Sequence, residues 1–497
     1  MQILSNDFYI NAAYYVAWDR DVKDDELYKK FPSMYVHSIG DAWKGAGFPN
    51  VPSKNHLDEK ALAEISREEL IALKMMDRLD PTGRALSFSD RQVFFRDLVT
   101  KWLDVIDDKD ITLVISPSIP HRVFDYALYV AAQLKNIKFL AFQMTPFSDA
   151  SFIIDNVDHL PRNIVNCETA DSPDDLHVSD YIKKRIDKVK EVYSSAVPDY
   201  MINQREREKK ETAVYKVMHY LMRKGILSIF SRLNPFAEVK TYYARECDRP
   251  LEAKTNRLQL FFQFRRFLQR QRQYITEYEK EKTTVFDRSK PYVFVALHYQ
   301  PEETTSPTAG AYVDQILLVQ TLEKAIPENY NIVVKEHQSQ LYKSVEAAAG
   351  RPPGFYRRLK AVSSRIYLVD ASEDPFRLLD SASVTCTVSG TIGWESAIRG
   401  TPTLVFGRAW YENMPRVHKV KSVEDIKTIW HVLIEEKNKD MNTKIENFHA
   451  SLEKFFIRAP HYKAFVNKAS RSSDLSAQNI TEGIVQYLNI AETQKHD

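Results

Sequence analysis

The sequence predicts an α/β protein with parallel sheets. Three short apolar strands, each ending in polar residues, carry that prediction. The first lies in Cys386-Thr-Val-Ser-Gly-Thr-Ile-Gly-Trp-Glu-Ser-Ala-Ile-Arg-Gly-Thr-Pro-Thr-Leu-Val-Phe-Gly407, which reads as strand, small-residue turn, helix, strand. Residues 383–388 are short and β-branched, as a buried parallel strand is. Ser389-Gly390-Thr391 form the turn, residues 392–398 have helical spacing, and Gly400 with Pro402 ends the helix. Such a turn feeding a helix N-terminus is suited to an anion: backbone N–H groups point outward and the helix dipole is positive there. With 13 Gly in 497 residues, three between Gly390 and Gly400 suggest backbone that turns tightly or is closely approached. The plain alternative is an ordinary crossover connection.

The second strand, residues 331–334, ends in Lys335-Glu336-His337. The third, residues 292–297, runs into His298-Tyr-Gln300-Pro-Glu302-Glu303-Thr-Thr305. In open parallel sheets ligands sit at the carboxyl ends of strands, so three polar strand ends converge where a phosphate would bind. A lone Lys or His there would be read as a solvated strand end; the convergence is the stronger signal. Asp370 and Ser372 close a further strand, residues 364–369, and join as candidate nucleotide contacts.

In the first part of the chain, residues 110–115 read as a strand, 124–135 as a helix and 137–142 as the next strand. That unit belongs to a parallel sheet with a right-handed crossover. Segments 7–17 and 33–38 read as further strands, and 55–79 and 89–106 as helices, with Ser89 the expected N-cap. His121 and Asp125, four apart at the start of helix 124–135, can share a face. They are either a helix-capping pair or an imidazole–carboxylate pair acting on the acceptor.

Between the two parts, Asn203-Gln-Arg-Glu-Arg-Glu-Lys-Lys-Glu211 is a mixed-charge helical run and residues 213–230 are amphipathic. Residues 251–282 read as one long helix carrying Phe261, Phe262, Phe264 and Phe267 beside Arg265, Arg266, Arg270 and Arg272. This is either a helical insertion packed on the domains or a basic, aromatic surface for peripheral membrane contact. The expected organisation is 1–175, an N-terminal Rossmann-like domain; 176–285, a helical insertion; 286–435, a C-terminal Rossmann-like domain; and 436–497, C-terminal helices.

The motifs His298-Tyr-Gln-Pro-Glu302, Val334-Lys-Glu-His337, Ser389-Gly-Thr-Ile-Gly-Trp-Glu395 and Gly400-Thr-Pro402 resemble those of the capsule polysaccharide biosynthesis proteins. That family includes transferases of 3-deoxy-manno-octulosonic acid (Kdo) and is similar in site layout to bacterial sialyltransferases. Where the family has His-Pro, this chain has His337-Gln338. The resemblance implies a GT-B-like fold, two Rossmann-like domains facing a cleft, with 1–175 the acceptor domain, 286–435 the nucleotide-sugar donor domain and the last helix of 436–497 crossing back to the first domain. It implies a glycosyltransferase that moves a Kdo- or sialic-acid-like sugar from a CMP-sugar to a surface polysaccharide or glycolipid. The donor-binding residues it implies are His298, Gln300, Lys335, Glu336, Ser389, Gly390, Thr391 and Glu395. The catalytic candidates are Glu302, His337, His121 and Asp125, with Glu302 preferred to Glu303 as general base. Glu302 capping a following helix and Glu395 on a surface helix are the plain alternatives. No metal and no cofactor are expected, the nucleotide-sugar being a substrate. An epimerase or hydrolase of the same fold, or a non-catalytic glycan-binding assembly protein, are the competing functions.

Composition sets the outer bounds. Hydrophobic residues at 44% and charged ones at 27% are ordinary for a globular chain, and a net charge of +2 argues against a nucleic-acid partner. Three cysteines without a Cys-x-x-Cys suggest a reducing compartment. Residues 1–7 lack a basic region leading into an apolar run, and no stretch approaches the roughly 20 apolar residues of a membrane span. A cytoplasmic protein, working at the inner membrane face where its acceptor is a lipid, is expected.

Overall fold

The computed structural model describes residues 11–17, 29–80, 86–147, 149–161, 164, 178–197, 199–210, 238–242, 252–283, 285–342, 350–459 and 473–493. The amphipathic segment 213–230, Cys167, Cys247 and the side chains of residues 252–268 lie outside the described residues, and with them most of the candidate membrane surface.

The fold is α/β. Strands β1 (Tyr14–Ala17) and β2 (Tyr35–Ser38) pair in parallel. Strands β3 (Leu113–Ser116), β4 (Lys138–Met144) and β5 (Ala150–Ile154) belong to a second sheet, joined at its edge by β14 (Ile457–Arg458). The parallel pair β3–β4 is connected through helix Val123–Leu134, as expected. After β4 the chain departs from the Rossmann pattern: β5 returns antiparallel to β4, and β14 antiparallel to β5. Thr145 bridges the reversal. Its hydroxyl donates to the Ala150 carbonyl at 2.7 Å and closes the connection within one short turn. The last helix, Ser473–Thr493, packs on β14 and β5.

Strands β6 (Glu238–Tyr242) and β7 (Glu252–Asn256) form an antiparallel pair. The long helix is therefore shorter than expected, Arg257–Glu281, because its first residues are strand. Helix Phe88–Asp108 is capped two residues before the expected Ser89. Ser87 caps it reciprocally: its hydroxyl accepts from the Asp90 N–H at 3.1 Å, and the Asp90 carboxylate accepts from the Ser87 N–H at 3.0 Å.

The remaining strands are β8 (Tyr292–Ala296), β9 (Asn331–Lys335), β10 (Ile366–Val369), β11 (Val384–Thr387), β12 (Thr403–Val405) and β13 (Val417–Lys419). They form one parallel sheet in the order β10-β9-β8-β11-β12-β13. Numbered from β8, that is 3-2-1-4-5-6, the doubly wound order whose switch point lies between β8 and β11. Val293, Val295, Ile332, Val334, Leu368, Cys386 and Leu404 are buried in one core face, and Tyr292, Phe294, Val333 and Val369 in the other. Both faces being covered, the strands are apolar throughout.

Of the glycines after β11, Gly390 and Gly393 are close-approach positions and Gly400 is a turn position. A Cβ on Gly390 would lie 2.9 Å from His298 Cε1. Gly400, at φ +96°, ends helix Thr391–Ile398 in the left-handed region. A Cβ on Gly393 would meet the Tyr411 hydroxyl, and Thr403 Cγ2 at 3.0 Å. Gly393→Ala is expected to destabilise the chain by about 1–3 kcal/mol in urea unfolding, the cost of overpacking a filled core. A midpoint unchanged from the parent would show that the helix moves aside freely.

Candidate functional site

Three strand ends meet at the switch point, and a buried ion pair holds them. Arg351 and Glu336 are both fully buried. Arg351 Nε donates to Glu336 Oε2 at 2.7 Å and Nη2 to Oε1 at 2.8 Å. The remaining guanidinium hydrogens go to Gln300 Oε1 at 2.8 Å, the Gly350 carbonyl at 3.0 Å and the His298 carbonyl at 2.9 Å. Glu336 also accepts from the Tyr356 hydroxyl at 2.8 Å and the His337 N–H at 2.7 Å. This accounts for the buried charge on both sides, as a stable buried pair requires.

It also corrects two donor-binding expectations. The Glu336 carboxylate is spent on Arg351 and Tyr356. Gln300 is buried, its amide divided between Arg351 and the Val313 carbonyl, to which it donates at 2.8 Å. Both shape the site from beneath.

His298 is corrected in the same way. Its Nε2 lies 2.9 Å from Thr387 Oγ1 and accepts from the N–H groups of Val388 and Ser389 at 3.2 and 3.3 Å. Burial, then the Arg351 charge, pushes its pKa down to about 3, so the ring is neutral. The Ser389 hydroxyl donates to the Thr304 carbonyl at 2.7 Å. Thus an imidazole of the chain itself takes turn donors that the sequence offered to an anion. The half-buried Thr391 hydroxyl and the Thr391 and Ile392 amides remain, whereas the Gly393 N–H is already donated to the Gly390 carbonyl at 3.0 Å.

His337 and Lys335 face this helix end differently. His337 Nδ1 accepts from the Ser339 N–H at 3.3 Å, so the ring's proton sits on Nε2. Burial, then Lys335, His298 and Arg351, lowers its pKa to about 3. It offers a ligand a neutral N–H donor, not a charge. Lys335 is half-buried; its Nζ reaches the Glu336 carbonyl at 3.5 Å and, among the described residues, no carboxylate within ion-pair distance. Burial lowers it to about 8 against the fields of Glu336, Asp370 and Asp374. Asp370 is itself spent, accepting from Lys282 Nζ at 2.9 Å and the Ser372 hydroxyl at 2.6 Å.

Glu395 is 5% exposed and, among the described residues, its carboxylate has no hydrogen-bond partner. Burial pushes its pKa up to about 7 against the more distant Arg185 and Arg399. It is a buried acid, not the surface glutamate of the plain alternative. Helix Asp180–Lys190 and Tyr193 cover this side, and Arg399 ties them down through the Val189 and Glu191 carbonyls, each at 2.7 Å.

The other half of the cleft lies between the two sheets. His121 precedes helix Val123–Leu134 and does not share its face with Asp125. Asp125 caps the helix by accepting from the Arg122 N–H at 2.7 Å, the helix-capping alternative. Burial raises its pKa to about 7. His121 Nδ1 lies 2.7 Å from the Ile119 carbonyl and 3.3 Å from Glu303 Oε2. Glu303, and not Glu302, is therefore the carboxylate brought across the junction to the imidazole. Burial pushes Glu303 up to about 7, with Arg78 opposing. Glu302 instead accepts from the Thr304 hydroxyl at 3.2 Å.

Arg351 and Arg408 are the residues that sequence reasoning missed. Arg351 sits in Gly350-Arg-Pro-Pro-Gly354, which reads as an exposed turn. An acid immediately after a buried strand, Glu336, was the available signal that a cation had to come from elsewhere.

Fold and site thus define an α/β protein with a polar cleft at the carboxyl ends of a doubly wound sheet. Residues 197–459, more than half of the chain, match the family described as "Capsule polysaccharide biosynthesis protein", and the protein belongs to that family. Among curated proteins none matches the sequence. Solved structures similar to parts of it include the KpsC beta Kdo 2,7 transferase of Thermosulfurimonas dismutans, at 16% identity and a TM-score of 0.23. That match covers 39% of this chain and 55% of the other, so the chain spans about half of that relative's length. The beta Kdo 2,4 transferase of the same KpsC matches at 10% identity and a TM-score of 0.28, over 69% of this chain and 79% of the other. The UDP-GlcNAc 2-epimerase of Neisseria meningitidis, bound to UDP-GlcNAc, matches at 13% identity and a TM-score of 0.24, over 73% and 81%. Likenesses this low say nothing of what this chain binds.

Two outcomes follow from the electrostatics. Arg351→Met should cost about 3–5 kcal/mol in chemical unfolding, because it strands the Glu336 charge, whereas Arg351→Met with Glu336→Leu should recover most of that loss. A double variant no more stable than the single would mean the pair is not the support. Glu395 titrates at about 7 folded against an ordinary 4.5, so its contribution to stability is full below the lower value and is lost as pH rises through the higher. Glu395→Gln should flatten the ligand-free stability profile across that window; an identical slope would place the carboxyl in water.

Proposed function

We propose that this protein is a glycosyltransferase of capsule assembly that moves an acidic sugar of the Kdo or sialic-acid type from its CMP-sugar to a polysaccharide or glycolipid acceptor. The supporting observation is a buried carboxylate without a hydrogen-bond partner among the described residues, Glu395 on the helix that follows β11, together with a half-buried cation at the end of β9, Lys335, that lacks a carboxylate partner there. Both groups are incomplete without a ligand that brings hydroxyls to one and negative charge to the other. A nucleotide does both. Glu395 takes the ribose hydroxyls. The phosphate lies at the first turn of helix Thr391–Ile398, against the Thr391 hydroxyl, His337 Nε2–H and the Lys335 ammonium. Negative charge arriving there raises the Lys335 pKa and fixes its proton.

On the acceptor side Glu303 is the general base. His121 Nδ1–H lies against its carboxylate, and a pKa near 7 lets it take a hydroxyl proton at neutral pH. The leaving phosphate is neutralised by Lys335 and the helix end, so the chemistry asks for no metal and no cofactor. Work at the inner face of the membrane, with a lipid-linked acceptor, belongs to the same proposal.

A thermal-shift panel of nucleotides tests the donor. CMP or a CMP-sugar at about 100 times its dissociation constant should stabilise the fold by about 2.7 kcal/mol. UDP outperforming CMP would reject the CMP assignment. In a transfer assay Glu395→Gln should raise the donor KM more than it lowers kcat, and Lys335→Ala should lower kcat on the order of 10²-fold. The parent rate should rise with pH and level off above about 7 as Glu303 ionises. Glu303→Gln should lower it by roughly 10²–10⁴-fold without altering the CMP shift. Parental transfer by that variant would remove Glu303 as the base.

A further inference from the structure

Arg408 follows β12 and is 3% exposed. Its backbone is fixed to the second sheet's unit, its N–H donating to the Thr308 carbonyl at 2.9 Å. Its side chain crosses to the first sheet. Nε donates to the Val157 carbonyl at 2.7 Å and Nη2 to Gln143 Oε1 on β4 at 2.7 Å. The third nitrogen, Nη1, is buried and has no hydrogen-bond partner among the described residues. An orphaned guanidinium N–H in a buried site costs on the order of 1–3 kcal/mol or more, and native structures rarely tolerate one without use. The charge around it is arranged as well. The Thr308 hydroxyl donates to the Glu303 carbonyl at 3.2 Å, and Arg408 lies in the fields of Glu412, then Glu303 and Asp158, with Glu303 in turn in the field of Arg408. Arg78 approaches from the first unit, donating to the His121 carbonyl at 3.2 Å. Two cations thus flank the carboxylate that sits against His121.

A guanidinium with a free N–H beside a catalytic carboxylate suits a second, ligand-borne carboxylate. Guanidinium geometry matches carboxylates, and without that cation the two negative groups would repel. In a 2-keto acid sugar the carboxylate is attached to the anomeric carbon itself. It therefore has to enter the junction with the reacting carbon, next to the base. We propose that Arg408 recognises the carboxylate of the transferred sugar and so selects acidic over neutral sugars. This rests on the acidic-sugar reading of the site, but not on the identity of the nucleotide.

The test uses the full chain and no nucleotide: calorimetric titration with Kdo and with its methyl ester. The parent should bind the acid at least about tenfold more tightly, the range of one charge-assisted contact. Arg408→Gln should bring the ratio near one while keeping the CMP thermal shift, and Arg408→Lys should restore part of it. Gln143→Met breaks one bridge to the first sheet but spares the guanidinium, and should keep the parental ratio. The proposal is overturned if the parent does not discriminate, if Arg408→Gln still does, if Arg408→Gln also loses the CMP shift, or if Gln143→Met loses discrimination as fully. Discrimination in a parent that ignores CMP would sink the donor reading and leave Arg408 in place.

Discussion

The buried pair between Arg351 and Glu336 is the constraint from which the donor side follows. Its five donated hydrogen bonds reach the end of β8 through His298 and Gln300, and the end of β9 through Glu336. Parallel strands supply no reason for their ends to stop at a common depth. A guanidinium holding two strand ends and a connecting loop at once does supply it. The charge also acts at a distance. It is one of the fields that keep His298 and His337 neutral, behind burial in both cases. A neutral His298 can accept from the turn after β11, and that contact sets how the helix N-terminus is presented. The pair thus fixes geometry and protonation together, and contributes specificity of arrangement more than net stability.

Burial then sorts the polar residues of the cleft into two groups. Gln300, Glu336, His298 and Ser389 have partners for their polar atoms and build the walls. Lys335, Glu395, the Thr391 hydroxyl and His337 Nε2 are left without such partners among the described residues. The leftover groups are the ones whose position is expensive without company: a buried carboxyl pushed up to about 7 and an ammonium pushed down to about 8. A strand end being polar is thus a weaker sign of function than a strand end being polar and unsatisfied.

Much of this was legible in the sequence. The strands ending at residues 296, 335, 369 and 387 show as β-branched runs, and the glycines at 390, 393 and 400 as points where backbone is crowded or turns. Pattern carries no information about which polar residue is spent internally, because that depends on partners far along the chain. Glu336 meets Arg351 across a loop whose composition reads as surface. His298 meets the turn at residues 388–389 across three strands' worth of chain. The choice between Glu302 and Glu303 turned on which of two adjacent side chains points across the junction, a matter of one residue in a turn. The antiparallel return of β5 was missed for a related reason: a single hydroxyl, that of Thr145, closes the turn, and period alone does not separate a hairpin from a loop.

The two halves of the cleft are joined by groups that titrate or carry charge, and this shapes how the protein responds to a ligand. Glu303 reaches His121 from the second unit, and Arg408 reaches Gln143 and the Val157 carbonyl. Neither contact is apolar, and both are short. Beside them the junction is apolar: one core cluster runs from Trp102 and Phe147 to Phe294, Trp394 and Trp410, with Phe147 packed edge-on against both Trp394 and Trp410. The polar contacts place an acid with a pKa near 7 and an incompletely satisfied guanidinium where an acceptor and a sugar would meet. A bound substrate that supplies an anion to Arg408 and a hydroxyl to Glu303 completes the junction's hydrogen bonding.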